Sequence, residues 1–361
     1  GYDEHTQVVT TKLPHSYPMG PNPHVEENIW LENVLAVLDT PGEWVYDGNG
    51  RVYYWPKTGQ PSDRIEYAAL TEMVRIEGAI EYDELEDTPV RGIRFSGITF
   101  THTERFQWYG RTGWGIQHDW EAFDRPSAMV RLRGAEDCSL DSCRFTCGSS
   151  TGVRLDLHCK SNSIVGNSFD YLGGCGVLLC GYGPGLKDSN QGNTISDNHI
   201  HHISLSYWHS PAIFVWQSGE NRVAHNHIHH TGYTGIVVSG RMNWDREGAR
   251  ECSRTIRWEE TAKVVGEGYV LQPWPESWYP DWKRRLPLYH GHGNVLEYND
   301  IHHVMQILGD GNAIYISGTG TGNVLRYNAV HDCPSPTMRA GIRCDNDQNE
   351  TIIHGNVLYR L

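Results

Sequence analysis

Positive charge is scarce in this sequence: 30 lysines and arginines stand against 44 acids over 361 residues, a net charge of −14. Nucleic acid and anionic membranes both require basic surface to replace their counterions, so neither is an expected partner. A highly anionic glycan is weakly disfavoured for the same reason. No apolar run approaches the roughly 18 residues of a membrane span. No leader peptide is legible, which removal or truncation would each explain. Paired CxxC spacing is also missing, since the nine cysteines (138, 143, 147, 159, 175, 180, 252, 333 and 344) are odd in number and scattered. They define neither a disulfide framework nor a metal site. Most fall in strand-like segments, where a free thiol acts as a small buried hydrophobe. Low-complexity sequence is absent, and 38% apolar residues suffice for an ordered core.

What the chain does have is aromatic surface chemistry and a repeat. Thirteen Trp and 19 Tyr supply flat apolar faces of the kind that neutral, hydroxyl-rich sugar rings stack on. The pattern N-x-(V/I)-x-x-N-x-(I/F/V) recurs as NSIVGNSF (162–169), NTISDNHI (193–200), NRVAHNHI (221–228), NVLEYNDI (294–301) and NVLRYNAV (323–330). CSLDSCRF (138–145) has the same shape with Cys for Asn, and ETIIHGNVL (350–358) is a degenerate copy. The second marker residues Cys143, Asn167, Asn198, Asn226, Asn299, Asn328 and Asn356 are spaced by 24, 31, 28, 73, 29 and 28 residues.

A repeat of this length is one coil of a solenoid. Each coil needs a tight corner between short strands. Asn tolerates left-handed backbone there and can ladder with the Asn above and below. A second strand follows each marker, as TGVRLD, CGVLLC, PAIFVW, TGIVVS, NAIYIS and AGIRCD. Alternating Val and Ile then point inward and close a continuous core. The expected fold is all-β, a right-handed parallel β-helix of about 24–31 residues per coil. A leucine-rich repeat or a propeller would require other spacings. The 73-residue step implies an insertion over about 242–292, rich in Trp and Pro, folded over the side of the solenoid. Residues 1–89 are expected to form a small β-rich module packed on, or inserted into, the first coils, with a hairpin in PGEWVYDGNGRVYYWP (41–56) turning at GNG. The solenoid proper is expected over 90–361. It stops in mid-pattern at Leu361, which suggests a fragment of a longer protein.

Chemistry belongs on outward positions of the second strands, where successive coils stack side chains about 5 Å apart. Leu155, Leu179, Val215, Val238, Ile316 and Cys344 should be core. The columns of Arg154, Leu178, Phe214, Val237, Tyr315 and Arg343, and of Asp156, Cys180, Trp216, Ser239, Ser317 and Asp345, should face out. Trp216, Tyr315, Arg343 and Asp345 then share a face with Arg241 and Arg339, the insertion forming a wall: a strip suited to a sugar. Asp310 in GDGNAIYISG (309–318) and Asp345 and Asp347 in CDNDQNE (344–350) are the candidate catalytic acids, because glycoside hydrolysis needs two carboxyls in different protonation states. Asp310 precedes its strand and Asp345 ends one, so straight strands would leave them more than about 10 Å apart. His209 occupies Asp310's register two coils earlier and could line the same mouth. The runs NHIHH (198–202 and 226–230) and NDIHH (299–303) recur at the corner in every copy, as a structural ladder does. No metal or other cofactor is expected.

ENVLAVLDTPGEWVYDGNGRVYYWP (32–56), VRGIRFSGITFTHT (90–103), GDGNAIYISG and GIRCDNDQ together resemble secreted carbohydrate-active β-helix proteins. The likeness is greatest to glycoside hydrolase family 141, with families 110 and 120 related in architecture. It covers roughly residues 30–361, and PGEW is its more specific part. The resemblance implies a glycosidase acting on plant or host glycans, secreted or held in the periplasm or at the cell surface. It also implies that the acid before the AIY strand is Asp310 and that the following acidic pair falls on Asp345 and Asn346. The second of these departs from the family pattern. A polysaccharide lyase using Arg343 and Arg339, or a non-catalytic glycan-binding module, are the alternatives on this scaffold.

Overall fold

The computed structural model describes residues 2–6, 8–9, 33–61, 65–105, 127–240, 256–267, 282–333, 340–345 and 348–361. Within these, the chain coils repeatedly through three parallel sheets. The first sheet has eight strands, from Arg94–Ser96 to Ile352–His354, and the second has eight, from Thr99–Thr103 to Val357–Tyr359. The third has ten and runs from Val74–Glu77 to Ile342–Asp345, extended at its sides by Val90–Arg91 and Asn190–Gln191. Coils stack in register: Val177, Ile213, Ile236, Ile314 and Ile342 follow one another across the third sheet. This is the parallel β-helix that the repeat implies.

Two asparagine ladders build the corners, one for each Asn of the repeat. In the ladder between the third and first sheets, the Asn193 N–H and Nδ2 both donate to Asn221 Oδ1, at 2.9 and 3.1 Å. Between the first and second sheets, Asn167 donates to Asn198, Asn198 to Asn226, Asn226 to Asn299, Asn299 to Asn328 and Asn328 to Asn356. Cys138 and Cys143 start the two ladders through their backbone N–H groups. The left-handed residue, however, is not the Asn. It is the one before it: Asp197, His225, Tyr298 and Tyr327 have φ near +55°, and Gly166 and Gly355 take the same place. The Asn is selected for its amide, which fills two needs of the buried corner at once.

The core runs down the axis. Leu140, Ile164, Ile195, Val223, Leu296 and Leu325 enter from the first sheet, and all are fully buried. From the second, Phe100, Phe145 and Phe169 stack with centroids 5.0 and 4.7 Å apart, then give way to Ile200, Ile228, Ile301 and Val330 in the same column. Each such side chain contributes about 2 kcal/mol of burial. The inward column of the third sheet is core as expected up to Ile316. Cys344 is instead exposed. Among the described residues its strand is the outermost of that sheet.

Near the N-terminus, Trp44–Tyr46 and Val52–Tyr54 form the antiparallel hairpin read from PGEW. Val74–Glu77 already pairs in parallel with Ala128–Glu136, so the third sheet draws its first strand from the segment before residue 90. Asp87 fastens that segment to the coils: its carboxylate accepts from Lys187 Nζ at 2.7 Å and Tyr182 Oη at 3.0 Å, and pairs with His158 at 2.8 Å. The described part of the insertion contains the helix Trp258–Val265 and a 3-10 turn over Trp282–Leu288, joined by an apolar cluster of Ile256, Val265, Leu288 and Tyr289. It lies against the side of the solenoid, where Leu186 N donates to Glu260 and Arg257 N donates to Pro184.

Candidate active site

The outward face of the third sheet is covered rather than open. Leu178, Cys180, Phe214, Trp216, Val237 and Tyr315 form a second apolar cluster there. Trp216, expected as a stacking surface, is fully buried within it. Towards the first coils the same face holds a buried ion network, in which Asp156 pairs with Arg154 at 2.5 Å and Arg131 pairs with Glu72 at 2.7 Å. Polar chemistry reaches the surface at the other end of the sheet.

There the structure brings four of the expected residues together. Arg343 extends one guanidinium nitrogen to Asp310 Oδ1 at 2.9 Å and the other to Asp345 Oδ2 at 2.7 Å. Tyr315, directly beneath Arg343 in the sheet, donates its phenol to the same Asp345 oxygen at 3.1 Å. The guanidinium carbon sits 5.3 Å from the Tyr315 ring centroid, a cation–π distance. The gap expected between the two acids is thus closed by a side chain rather than by the backbone. Arg343 stands two residues before Asp345 on the same strand, and its length spans the turn to Asp310. Asp310 is 66% exposed and Asp345 31%, so the ion pairs add little stability, about 0–1 kcal/mol. Their consequence is geometric. Two acids gripped by one planar fork can lie at the separations of about 5 to 9.5 Å that glycosidases use.

Asp310 is also held from behind. Tyr233, a residue that the repeat pattern did not single out, donates its hydroxyl to the Asp310 carbonyl at 2.7 Å. Gly311 permits that approach, because a Cβ there would come within 2.6 Å of the Tyr233 ring and of Thr234 Oγ1. His209 is buried against the same Tyr233 ring, edge to face at 4.3 Å. It therefore supports the wall behind Asp310. Asp347, Arg241 and Arg339 lie outside the described residues. The described part of the insertion rests against residues 184–186, two coils before its own.

A second polar surface lies on the outer face of the second sheet. His199 and His227 stack, as do His201, His229, His302 and His331 in the next column, and His202, His230 and His303 in the third. Burial and the neighbouring imidazoles hold His229 down to about 3 and His302 down to about 4. His199, His201 and His230 are lowered for the same reasons. The sequence reading of these runs as a structural ladder accounts for the stacking.

Comparison with known proteins bears on the fold. The family model described as a right handed beta helix region matches residues 120–246. Comparison with curated proteins gives no match. Among solved structures, the chain is similar to one described as a glycoside hydrolase, with a TM-score of 0.58 and 19% identity over 90% of this chain and 57% of that one. This chain therefore spans little more than half of that protein. An alginate lyase from Paenibacillus sp. str. FPU-7 aligns at 12% identity and a TM-score of 0.40, over 64% of this chain and 72% of that one. A tailspike protein mutant of E. coli bacteriophage HK620, in complex with a pentasaccharide, aligns at 9% and 0.34, over 75% and 45%. The protein is a right-handed parallel β-helix, and likeness at these identities is one of fold.

Proposed function

We propose that the protein is a glycoside hydrolase of the family 141 type, working with Asp310 and Asp345 on a neutral oligo- or polysaccharide outside the cytoplasm. The observation that carries this reading is the pair of carboxylates bracketed by Arg343, with the Tyr315 phenol on one of them. Asp345 ends a strand and accepts from two donors, which suits the fixed carboxylate that acts as nucleophile or base. Asp310 stands on a turn, two-thirds exposed, where it can meet the oxygen of a leaving sugar. In this scheme the incoming substrate separates Arg343 from Asp310, which frees Asp310 to carry the proton it donates. The guanidinium that a lyase would turn towards a uronate is engaged by two acids, which favours hydrolysis over elimination. The net charge of −14 favours a neutral substrate.

The test is a panel of aryl glycosides and plant and host polysaccharides assayed for new reducing ends, followed by Asp310→Asn and Asp345→Asn on the active substrate. The reading expects each variant to melt like the parent and to lose turnover by roughly 1,000-fold or more. Full activity in both variants ends the assignment. So does an unsaturated product, which indicates a lyase, or saturable glycan binding without new reducing ends.

A further inference from the structure

Outside that site, the densest group of ligating atoms among the described residues is the imidazole face of the second sheet. His199 and His227 are register partners on adjacent coils, and His229 leans diagonally towards the coil before it. His199 Nε2 and His229 Nε2 approach to 2.8 Å. The ligand atoms of His199, His227 and His229 all lie within 4.8 Å of one another. We propose that these three side chains bind one divalent late transition-metal ion, of the zinc, cobalt or nickel kind, clipping two coils together.

Distance, orientation and ligand type each support this. Nitrogens about 2.1 Å from a tetrahedral ion sit about 3.4 Å from one another, which the observed spacings bracket. His229 is held in a ligating orientation. Its ring is stacked 5.0 Å from both His201 and His302, and its Nδ1 is 2.7 Å from His230 Nδ1. A ligating imidazole characteristically engages its second nitrogen in this way, which aims the first. His199 is exposed, so an ion can enter and keep a water in its fourth position. Three imidazoles suit a late transition ion rather than magnesium or calcium, which take oxygen ligands. The diagonal contact repeats one coil on between His227 and His302, at 2.9 Å, and then becomes His331 with Asp300, at 3.0 Å. Among the described residues, the group of three imidazoles that meets the ligand spacing is therefore His199, His227 and His229.

The experiment uses the chain without an affinity tag, stripped with a chelator and dialysed against Zn²⁺ and against Co²⁺. The expected result is about one ion retained per chain, a visible Co²⁺ absorption of tetrahedral type and a raised melting temperature with Zn²⁺. His229→Asn should weaken retention at least tenfold or so. His199→Asn, at the exposed edge, should do the same without disturbing the stack around His229. His331→Asn, two coils further on, should keep parental binding. Failure of the parent to retain either ion, or equal retention in the parent, His199→Asn and His229→Asn, overturns the proposal.

Discussion

Asp310 and Asp345 take opposite ends of the Arg343 guanidinium, at 2.9 and 2.7 Å, although one stands before its strand and the other at the end of the next. That link makes Arg343 the positioning residue of the pair. Arg343→Ala should lower turnover by roughly 100-fold, because Asp345 loses the guanidinium that fixes it during turnover and Asp310 loses the grip that presents it to the incoming substrate. Its melting temperature should stay within about 2 °C of the parent, since the contacts are half exposed. Arg343→Lys should not restore activity, as an ammonium lacks the planar fork that reaches both oxygens. Turnover and melting curves on the three proteins check this. A large fall in stability with Ala would mean that the residue is structural.

The wall behind Asp310 makes a graded prediction. Tyr233→Phe removes one hydrogen bond to the Asp310 carbonyl and should destabilise by about 1 kcal/mol. Gly311→Ala forces a methyl against the Tyr233 ring, the Thr234 hydroxyl and the end of Met305. Overpacking of that kind should cost about 1–3 kcal/mol and displace the Asp310 turn. Urea titrations order the two variants, and turnover should fall further in Gly311→Ala than in Tyr233→Phe. The reverse order would show that the turn is held by other contacts.

The solenoid is legible in the sequence because its signal repeats: a marker Asn and an alternating apolar strand recur in several registers, and each agrees with the next. Features set by a single coil, or by what covers it, are not. The left-handed residue before each Asn varies among Asp, Glu, Ser, His, Tyr and Gly, so no one letter marks it. Trp216 sits in a column that alternation correctly turns away from the core, but alternation cannot say that this face is itself buried. Cys344 lies in an apolar column but on the outermost described strand of its sheet, a position that alternation alone does not reveal. Asp310, Asp345, Tyr315 and Arg343 are each identifiable from register. Their meeting is not, because strand register treats strands as rods and leaves out the reach of an arginine. Tyr233 carries no repeat signal at all.

The ladders make a prediction about position. Asn226 Oδ1 accepts from the backbone N–H and the amide of Asn198, while its own Nδ2 donates to Ile195 and Asn299. Asn226→Ala leaves several of these buried groups without a partner, at about 1–3 kcal/mol each, so a loss of about 3 kcal/mol or more is expected. Asn356 is the last member of the same ladder among the described residues, and there it is partly exposed. Water can replace part of what it supplies, so Asn356→Ala should destabilise by less than half as much. Chemical denaturation of both variants tests this. Equal losses would mean that the ladder is held by its backbone bonds and that the amides are incidental.

The loop that leads back from the insertion gives a pH prediction. The hydrogen bond and charge of Asp188 raise His292 above its ordinary 6.5 against the opposing effect of burial, with Glu220 adding to the rise. Asp188 is burdened by desolvation, yet hydrogen bonds to His290 and His292 outweigh it and hold the carboxyl well below 3.8. Native His292 therefore binds a proton more tightly than the unfolded chain does. Its contribution to stability is complete below about pH 6.5 and fades as pH rises through the native value. The Asp188 contribution has the opposite sense, present above about pH 4 and lost as pH falls further. The pair stabilises fully only between these limits. His292→Gln should lower the melting temperature more at about pH 5.5 than at an alkaline pH above the raised native value, where the parent loses the charge. Melting curves at the two values decide it, and a deficit that is the same at both would show that His292 acts there by packing alone.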